Sequence, residues 1–192
     1  MIAPFCDRAI HGAFHREFAV MKSGMMPGLV VGCLLGAATP AVADVTGDVQ
    51  ACSNGQGPAI QANIVGLKDN RGEVRLELYP ATEADFLRDD HALMAEGKVF
   101  RRVRAPAPTG AFTMCIKVPR PGRYALLFSH NRGGKDKFDL WHDGAGFPGN
   151  AIMGRSRPTV TVAAIDAGAG VTVTNIRVQY LRGLRGFAPL DR

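Results

Sequence analysis

The chain has 192 residues, of which 46% are hydrophobic, and 23 Lys or Arg residues against 17 Asp or Glu residues give a net charge of +6 at pH 7. This length is sufficient for one domain with a substantial hydrophobic core. The positive charges are dispersed and are not interleaved with aromatic residues, so they do not predict nucleic-acid binding. We interpret them as a solvated cationic surface.

The N-terminal region is predicted to be an export signal. Lys22 precedes an uncharged, mostly apolar run over residues 25–38, and Ala41-Val42-Ala43 forms a small-x-small cleavage pattern. The run is too short to span a bilayer, so no transmembrane helix is expected. Residues 1–43 are therefore assigned to an N-terminal extension and cleaved signal peptide, and the protein is predicted to be periplasmic or secreted.

A second processing route is compatible with the same region. Residues 30–33 resemble a bacterial lipobox, in which Cys33 would become the lipidated first residue of an anchored lipoprotein. The apolar run continues beyond Cys33 to the Ala-x-Ala site, which favours simple cleavage. Met21, directly before Lys22, offers a more ordinary start for such a signal than Met1 does.

Cleavage would leave two cysteines, Cys52 and Cys115. An exported domain with two cysteines most simply forms one disulfide between them. Cys52 precedes the first predicted strand, and Cys115 lies on the polar face of a later strand. The bridge is therefore expected to tie an N-terminal strap, residues 44–57, to the outside of a sheet.

Alternating apolar and polar residues predict β-strands throughout residues 58–180. The predicted strands are residues 60–64, 74–78, 98–103, 112–118, 124–128, 159–162 and 171–180. Residues 68–72 have the length and composition of a hairpin turn between the first two strands. The strand at 124–128 is apolar at both parities, which predicts a central strand covered on both faces.

The connections and ends also carry local signals. The apolar parity changes between Val173 and Ile176, which predicts a β-bulge near Thr174-Asn175. Thr82 is predicted to cap one helical turn, and the residues expected to anchor this connection to the core are Phe86, Leu87, Leu93 and Met94. Residues 181–192 are assigned to a C-terminal tail, of which residues 183–192 are predicted to be frayed.

Together these strands predict an all-β fold. Short strands separated by turn signals are typical of a single Greek-key β-sandwich, transthyretin-like or immunoglobulin-like, here with six to seven strands and one long loop. That loop follows the central strand and is the candidate ligand site, because many binding sites consist of polar groups on a loop held by a rigid sheet. The candidate site residues are His130, Asn131, Asp136, Asp139, Trp141, His142, Asp143, Phe147 and Asn150.

Two roles are considered for the aromatic residues of this loop. Trp141 and Phe147 could cover a pocket for a ligand or a partner. They could equally pack the loop onto the domain, and this second role is favoured because an ordered loop needs apolar anchors.

The polar loop residues permit a metal site but do not favour one. The candidate metal ligands are His130, Asp139, His142 and Asp143. A zinc ion would use the two histidines with Asp139 or Asp143, whereas a calcium ion would use Asp139 and Asp143 with Asn131, Asp136 and loop carbonyls. Lys135 and Lys137 place positive charge beside the acids, so a network of Asx-type turn hydrogen bonds is favoured and no cofactor is expected.

No catalytic set is recognised in the sequence. Ser129 and His130 are neighbours on a strand and point to opposite faces, so they cannot form a nucleophile–base couple. The leading hypothesis is a non-enzymatic binding or accessory module, monomeric, whose partner is an envelope protein or a small ligand. The alternative is a metal-binding protein or metal-dependent enzyme with its site in the loop.

Three segments, residues 72–80, 119–130 and 144–150, resemble the bacterial exported family catalogued as domain of unknown function 2141. The matching loop positions are His130, Asp139, Gly146, Phe147 and Asn150. Asn131 stands where the family usually has an acid, and Gly133 stands where it usually has Asn. The resemblance covers about residues 58–180 and implies a small Greek-key sandwich akin to transthyretin-like and carboxypeptidase-regulatory-like domains. It implies no activity, because the family has none assigned.

Overall fold

The computed structural model describes residues 45–55 and 57–190. The predicted export signal, the Cys33 lipobox and the last two residues of the tail lie outside this part of the chain. The strands in it are β1 (Val45–Gly47), β2 (Ala59–Val65), β3 (Glu73–Pro80), β4 (Arg101–Pro106), β5 (Phe112–Lys117), β6 (Gly122–Asn131), β7 (Gly144–Gly146), β8 (Ala164–Ala167), β9 (Val171–Arg177), β10 (Gln179–Leu181) and β11 (Phe187–Pro189).

Helical structure is sparse in the same residues. The helices are α1 (Val49–Ser53), α2 (Asp90–Ala95) and α3 (Val160–Ala163), with 3-10 turns at Pro148–Asn150 and Gly183–Arg185. The Asp89 carboxylate begins α2 by accepting a hydrogen bond from the Ala92 amide at 3.0 Å. Among the described residues, no helix is both long enough and apolar enough to cross a bilayer.

The strands form two open sheets. The four-stranded sheet has the order β1-β5-β2-β9, and the seven-stranded sheet has the order β11-β10-β7-β6-β3-β4, with β8 paired to the first half of β6. β1 runs parallel to β5, and β9 runs parallel to β2. The all-β prediction is confirmed. The single Greek-key sandwich of six to seven strands is not confirmed, because the described residues form eleven strands in two open sheets.

The inward faces of both sheets contribute to one main hydrophobic core. In β2, β5 and β6 the inward residues are the even-numbered ones, as period-two alternation requires. The largest fully buried side chains of this core are Ile60, Ile64, Leu76, Leu78, Phe112, Met114, Ile116, Leu126, Phe128 and Ile176.

The seven-stranded sheet is also covered on its other face. Odd-numbered residues of β3 and β6 point to this outer face, and a second apolar cluster lies over one end of it. The cluster residues are Tyr79, Phe86, Leu93, Ala125, Phe147 and Ala163. β6 is therefore buried on both faces, which confirms the prediction of a doubly covered central strand.

The predicted disulfide between Cys52 and Cys115 is present, with the two Cα atoms 6.1 Å apart. Cys115 belongs to β5 but is absent from the main core, so α1 is tied to the outer face of the four-stranded sheet. The Asp48 amide strengthens this attachment by donating to the Cys115 carbonyl at 2.8 Å. A bridge between residues 63 positions apart stabilises a fold by about 4 kcal/mol in the chain-entropy account.

The hairpin predicted at residues 68–72 is wrong. β2 pairs with β5 and β9 in one sheet, whereas β3 pairs with β4 and β6 in the other. The turn therefore carries the chain from one sheet to the other. Local turn chemistry identifies the reversal but does not determine the pairing, which depends on contacts between distant segments.

The β-bulge predicted near Thr174-Asn175 is also wrong. Thr172, Thr174 and Ile176 lie opposite the inward residues of β2, so the inward parity is constant along β9. Val173 instead points outward and is 58% exposed. The chain then changes sheet at Val178, whose amide donates to the Val65 carbonyl at 2.9 Å, and continues as β10.

Two further local predictions need correction. Residues 159–162 are not a strand, because they begin α3, where the Val160 amide donates to the Glu83 carboxylate at 2.9 Å. The tail is not frayed at β11, because this strand pairs with β10 and Phe187 is buried. By contrast, the helical turn predicted at residues 82–87 is confirmed, because the Thr82 carbonyl accepts from the Phe86 amide at 2.9 Å and the Thr82 hydroxyl caps the turn by accepting from the Asp85 amide at 3.2 Å.

The anchors of the connection between β3 and β4 divide into two groups. Phe86 and Leu93 are buried in the second cluster, and Leu87 packs against it. Met94 is half exposed, because it follows Leu93 on α2 and points about 100° away from the buried side of that helix.

Strand β7 was not predicted from the sequence, because its Gly-Ala-Gly composition has low β-propensity. A Cβ atom built on Gly144 would lie 2.5 Å from Tyr180 Cε1 and 2.8 Å from Val178 Cγ1. One built on Gly146 would lie 2.5 Å from Ile176 Cγ2. The glycines therefore permit close approach of β7 to the side chains of the main core.

We expect Gly144→Ala to lower the free energy of unfolding by about 1–3 kcal/mol, the usual cost of overpacking. Urea denaturation followed by circular dichroism measures this change. Gly133→Ala is the matched control, because its nearest neighbour would be Lys135 Cγ at 4.0 Å. Equal stability of the two variants would contradict the packing role assigned to Gly144.

Candidate functional site

The loop between β6 and β7 is held closed by a buried carboxylate. Asp143 is 2% exposed, and its two oxygens accept hydrogen bonds from the amides of Arg132 at 2.8 Å and Asp139 at 2.9 Å. Asp139 in turn accepts from the Trp141 amide at 3.0 Å and contacts His142 Nδ1 at 3.1 Å. This is the hydrogen-bonded turn network that the sequence predicted.

Electrostatic contacts reinforce this network. The Arg132 guanidinium binds the Asp69 carboxylate, and this hydrogen bond lowers the pKa of Asp69 to about 2. Arg132 also donates to the His142 carbonyl at 3.1 Å. The pKa of Asp139 is lowered, first by the hydrogen bond from the Trp141 amide and then by that from His142. The loop is therefore fixed to the turn that precedes β3.

His130 does not face the loop acids. Its ring is fully buried, with Nδ1 2.6 Å from the Tyr180 hydroxyl and Nε2 2.8 Å from the Arg71 carbonyl. Because the Arg71 carbonyl oxygen can only accept, Nε2 carries the ring proton and donates to it. Nδ1 of the neutral ring therefore accepts from the Tyr180 hydroxyl, whose oxygen accepts in turn from the Lys68 amide at 2.9 Å. His130 is thus a neutral structural residue on the inner face, with both ring nitrogens occupied.

The four predicted metal ligands are not brought together as one group. His130 is engaged on the inner face, Asp143 binds two backbone amides, and the His142–Asp139 pair lies at the surface, where the His142 side chain is 67% exposed. Across residues 45–55 and 57–190, no cluster of three or more His, Cys, Asp or Glu residues is placed to hold a metal ion.

The outer face of the seven-stranded sheet instead carries a cavity of about 760 Å³. Its floor consists of outward side chains from β3 and β6, two neighbouring interior strands of the sheet. Its walls are the β6–β7 loop on one side and residues 153–158 on another, and we call it the outer-face cavity. The floor residues are Arg75, Glu77 and Tyr79 from β3 and Leu127, Ser129 and Asn131 from β6.

The charged floor residues are already paired with each other or with the backbone. Glu77 accepts from the Tyr79 hydroxyl at 2.8 Å and from Arg102, which also binds Asp90 at 2.8 Å. Arg75 binds Glu73 and donates to two carbonyls of the β6–β7 loop. Burial and the neighbouring Glu77 raise the pKa of Tyr79. The floor is therefore rigid and close to electrically neutral.

Two polar groups of the floor lack partners among the described residues. The amide nitrogen of Asn131 donates to the Lys135 carbonyl, whereas its Oδ1 is buried without a hydrogen bond. The Ser129 side chain lines the cavity and makes no hydrogen bond within the described chain. Both groups come from β6, next to His130 in sequence but on the opposite face.

The mouth of the cavity is apolar and exposed. Phe138, Leu140 and Trp141 are 41%, 57% and 79% exposed, and all three line it. The Phe138 ring lies 6.1 Å from the ring of Phe187, which joins this part of the mouth to β11.

The two loop aromatics therefore have different roles. Phe147 is fully buried in the second cluster, with its ring 6.5 Å from that of Phe86, so it anchors the loop as favoured from the sequence. Trp141 does not anchor the loop, and that prediction is wrong. The hydrogen bonds of Asp143 and Asp139 hold the turn instead and leave the indole free.

The other predicted site residues divide between the cavity and the surface. Asn131, Asp136 and Asp143 line the cavity, whereas Asp139, His142 and Asn150 do not. Asn150 occupies a turn with φ of 60°. The cavity residues that the loop pattern missed include Arg75, Glu77, Leu127, Arg155, Arg157 and Phe187. The sequence did contain a signal for these residues. Arg75, Glu77 and Tyr79 alternate with the apolar residues of β3, next to the doubly covered strand β6, which indicates a polar surface on the outer face.

These observations define a mostly β, disulfide-bonded protein of two open sheets, with a cavity on one outer face. A family model described as "Uncharacterized protein conserved in bacteria (DUF2141)" matches residues 62–175, more than half of the chain. The chain belongs to this bacterial family. No curated protein and no solved structure matches the chain.

The burial of neutral His130 predicts that the stability of the folded protein depends on pH. Desolvation holds its pKa below the ordinary value of 6.5, so the unfolded chain takes up a proton at a higher pH than the folded one. The stability that neutral His130 contributes is complete above pH 6.5 and is lost as the pH falls toward the folded pKa. We expect the melting temperature to decrease as the pH is lowered from 7 to 5.

Thermal melts of variants test this assignment. His130→Gln should flatten the pH dependence, because glutamine does not titrate. His91→Gln is the matched control, since the His91 side chain is 86% exposed, and it should keep the wild-type slope. An unchanged slope in His130→Gln would show that another group titrates.

Proposed function

We propose that this protein is an exported, non-enzymatic binding module that takes a small, mainly apolar ligand into the outer-face cavity. The observation that carries the proposal is a cavity with a rigid sheet as its floor and exposed apolar side chains at its mouth. Its volume of about 760 Å³ is within the range of small-molecule sites.

The cavity is suited to binding because its parts are fixed before a ligand arrives. β3 and β6 are central strands buried on their inner face, and the loop wall is tied by Asp143 and Arg132. A preformed site loses less conformational entropy on binding than a flexible one. The ligand would therefore enter a site that needs little rearrangement.

The exposed residues Phe138, Leu140 and Trp141 support a ligand rather than a purely structural role. Three large apolar side chains close together in water are unfavourable, and such patches commonly mark interaction sites. A bound apolar group would remove them from water. Each such contact contributes on the order of 1 kcal/mol.

We propose that the polar groups of the cavity have structural roles and not catalytic ones. Glu77, Arg75 and Arg102 form ion pairs that hold the floor together, and Ser129 and His130 project from opposite faces of β6. Nothing in this set pairs a nucleophile with a base. We therefore assign the cavity to binding and not to chemistry.

We also propose that the protein is exported and that its two sheets form a Greek-key sandwich. A disulfide is compatible with an oxidising compartment, and the sequence before Asp44 has the pattern of an export signal. We regard the two sheets as an elaborated Greek-key sandwich, with the added strands β7, β10 and β11 forming one side of the cavity. The protein would act as a monomer, because one chain supplies the whole site.

A neutral fluorescent probe tests the function. N-phenyl-1-naphthylamine should brighten on entering the cavity and should quench Trp141, the single tryptophan of the sequence. We expect Leu140→Ala to weaken this binding roughly tenfold, because it removes an apolar contact from the mouth. Titrations of the probe into purified protein measure both effects.

Val173→Ala is the matched control for this experiment. Val173 is exposed to the same degree as Leu140, but it belongs to the four-stranded sheet and does not line the cavity. It should leave the affinity unchanged. If the probe binds the two variants equally, or does not bind the wild type, the cavity is not the ligand site.

A further inference from the structure

Two arginines on the wall of the outer-face cavity differ from the other arginines around it. Arg155 and Arg157 both line the cavity and are exposed. Within the described residues, neither has a hydrogen bond, ion pair or ring contact. By contrast, Arg75, Arg102 and Arg132 are each bound to a carboxylate.

The segment that carries these arginines is held in place. The Met153 amide donates to the Gln179 side chain at 3.0 Å, and that side chain donates to the Ala151 carbonyl at 2.7 Å. Gln179 itself is 1% exposed. The Phe187 amide donates to the Gly154 carbonyl at 2.7 Å. The arginines therefore follow a fixed piece of backbone beside the apolar mouth.

The acids of the cavity do not neutralise these two charges. Glu77 is bound by Arg102, and Asp143 accepts two backbone amide hydrogen bonds. Asp136, the remaining lining carboxylate, belongs to the β6–β7 loop and makes no ion pair with Arg155 or Arg157. The wall formed by residues 153–158 is consequently electropositive and borders an apolar space.

We propose that the ligand of the outer-face cavity is an amphipathic anion, with an apolar body and one carboxylate or phosphate group. The apolar body lies against Phe138, Leu140 and Trp141, and the anionic group binds Arg155 and Arg157. Arginine suits this task because its planar guanidinium forms paired hydrogen bonds with such oxyanions. This inference rests on the proposed binding function and adds the chemical class of the ligand.

Three probes with the same ten-carbon chain separate charge from apolar contact. These are decanoate, 1-decanol and decyltrimethylammonium, each used below its aggregation concentration and followed by the emission of Trp141. We expect decanoate to bind on the order of fivefold more tightly than 1-decanol, since two exposed ion pairs each contribute modestly. Decyltrimethylammonium should bind more weakly than 1-decanol.

A double variant, Arg155→Gln with Arg157→Gln, should remove the preference for decanoate over 1-decanol. The matched control, Lys117→Gln with Arg120→Gln, removes the same charge from exposed positions that do not line the cavity and should keep the preference. Equal affinity for all three probes would overturn the anionic ligand but leave the binding function standing. No response to any probe would overturn both.

Discussion

Strand β6 buries alternate side chains on opposite faces of the seven-stranded sheet, so the fold must cover both faces. The four-stranded sheet covers the inner face and completes the main core with Leu126 and Phe128. Within the described residues, no second sheet covers the outer face. It is covered by connecting segments, of which Phe86, Leu93 and Phe147 bury their side chains over one end of β3 and β6.

The outer-face cavity is a consequence of that incomplete cover. Loops cannot match a pleated surface as closely as a sheet does, and here the second cluster fills only one end. The other end is bordered by the β6–β7 loop, which Asp143 ties back on itself through two backbone amides. Because Asp143 and Asp139 hold the turn at Trp141 by hydrogen bonds, this side chain is not needed as an apolar anchor and stays in water. The same features that stabilise the outer face thus leave room for a ligand.

Much of this structure follows from the sequence because the determinants are local. The alternation in residues 112–118 and 124–128 predicted β5 and β6, and the doubly apolar pattern predicted that β6 is central. The Cys52–Cys115 bridge followed from the two cysteines left after the predicted cleavage, and its place outside the core followed from the position of Cys115 on the polar face of its strand. The Asx-type turn network followed from Asp139 and Asp143.

The remainder depends on pairing between distant segments, which no local pattern reports. β3 leaves the turn at residues 68–72 toward a different sheet, and Val178 marks a second change of sheet. The candidate site was placed in one loop, although parity along β6 sends His130 and Asn131 to opposite faces. Arg155 and Phe187 reach the cavity only through the pairing of Gly154 with Phe187, which the sequence does not indicate.

The central claim is that a preformed binding cavity lies on the outer face of the seven-stranded sheet, separate from the main core. Backbone amide chemical shifts of the ¹⁵N-labelled protein, recorded while decanoate is added, test it most directly. We expect the changes to cluster at Ser129, Trp141, Ala145 and Phe187, and to spare Asn63 and Thr113 on the four-stranded sheet. Changes centred on that other sheet, or spread evenly through the main core, would contradict the account.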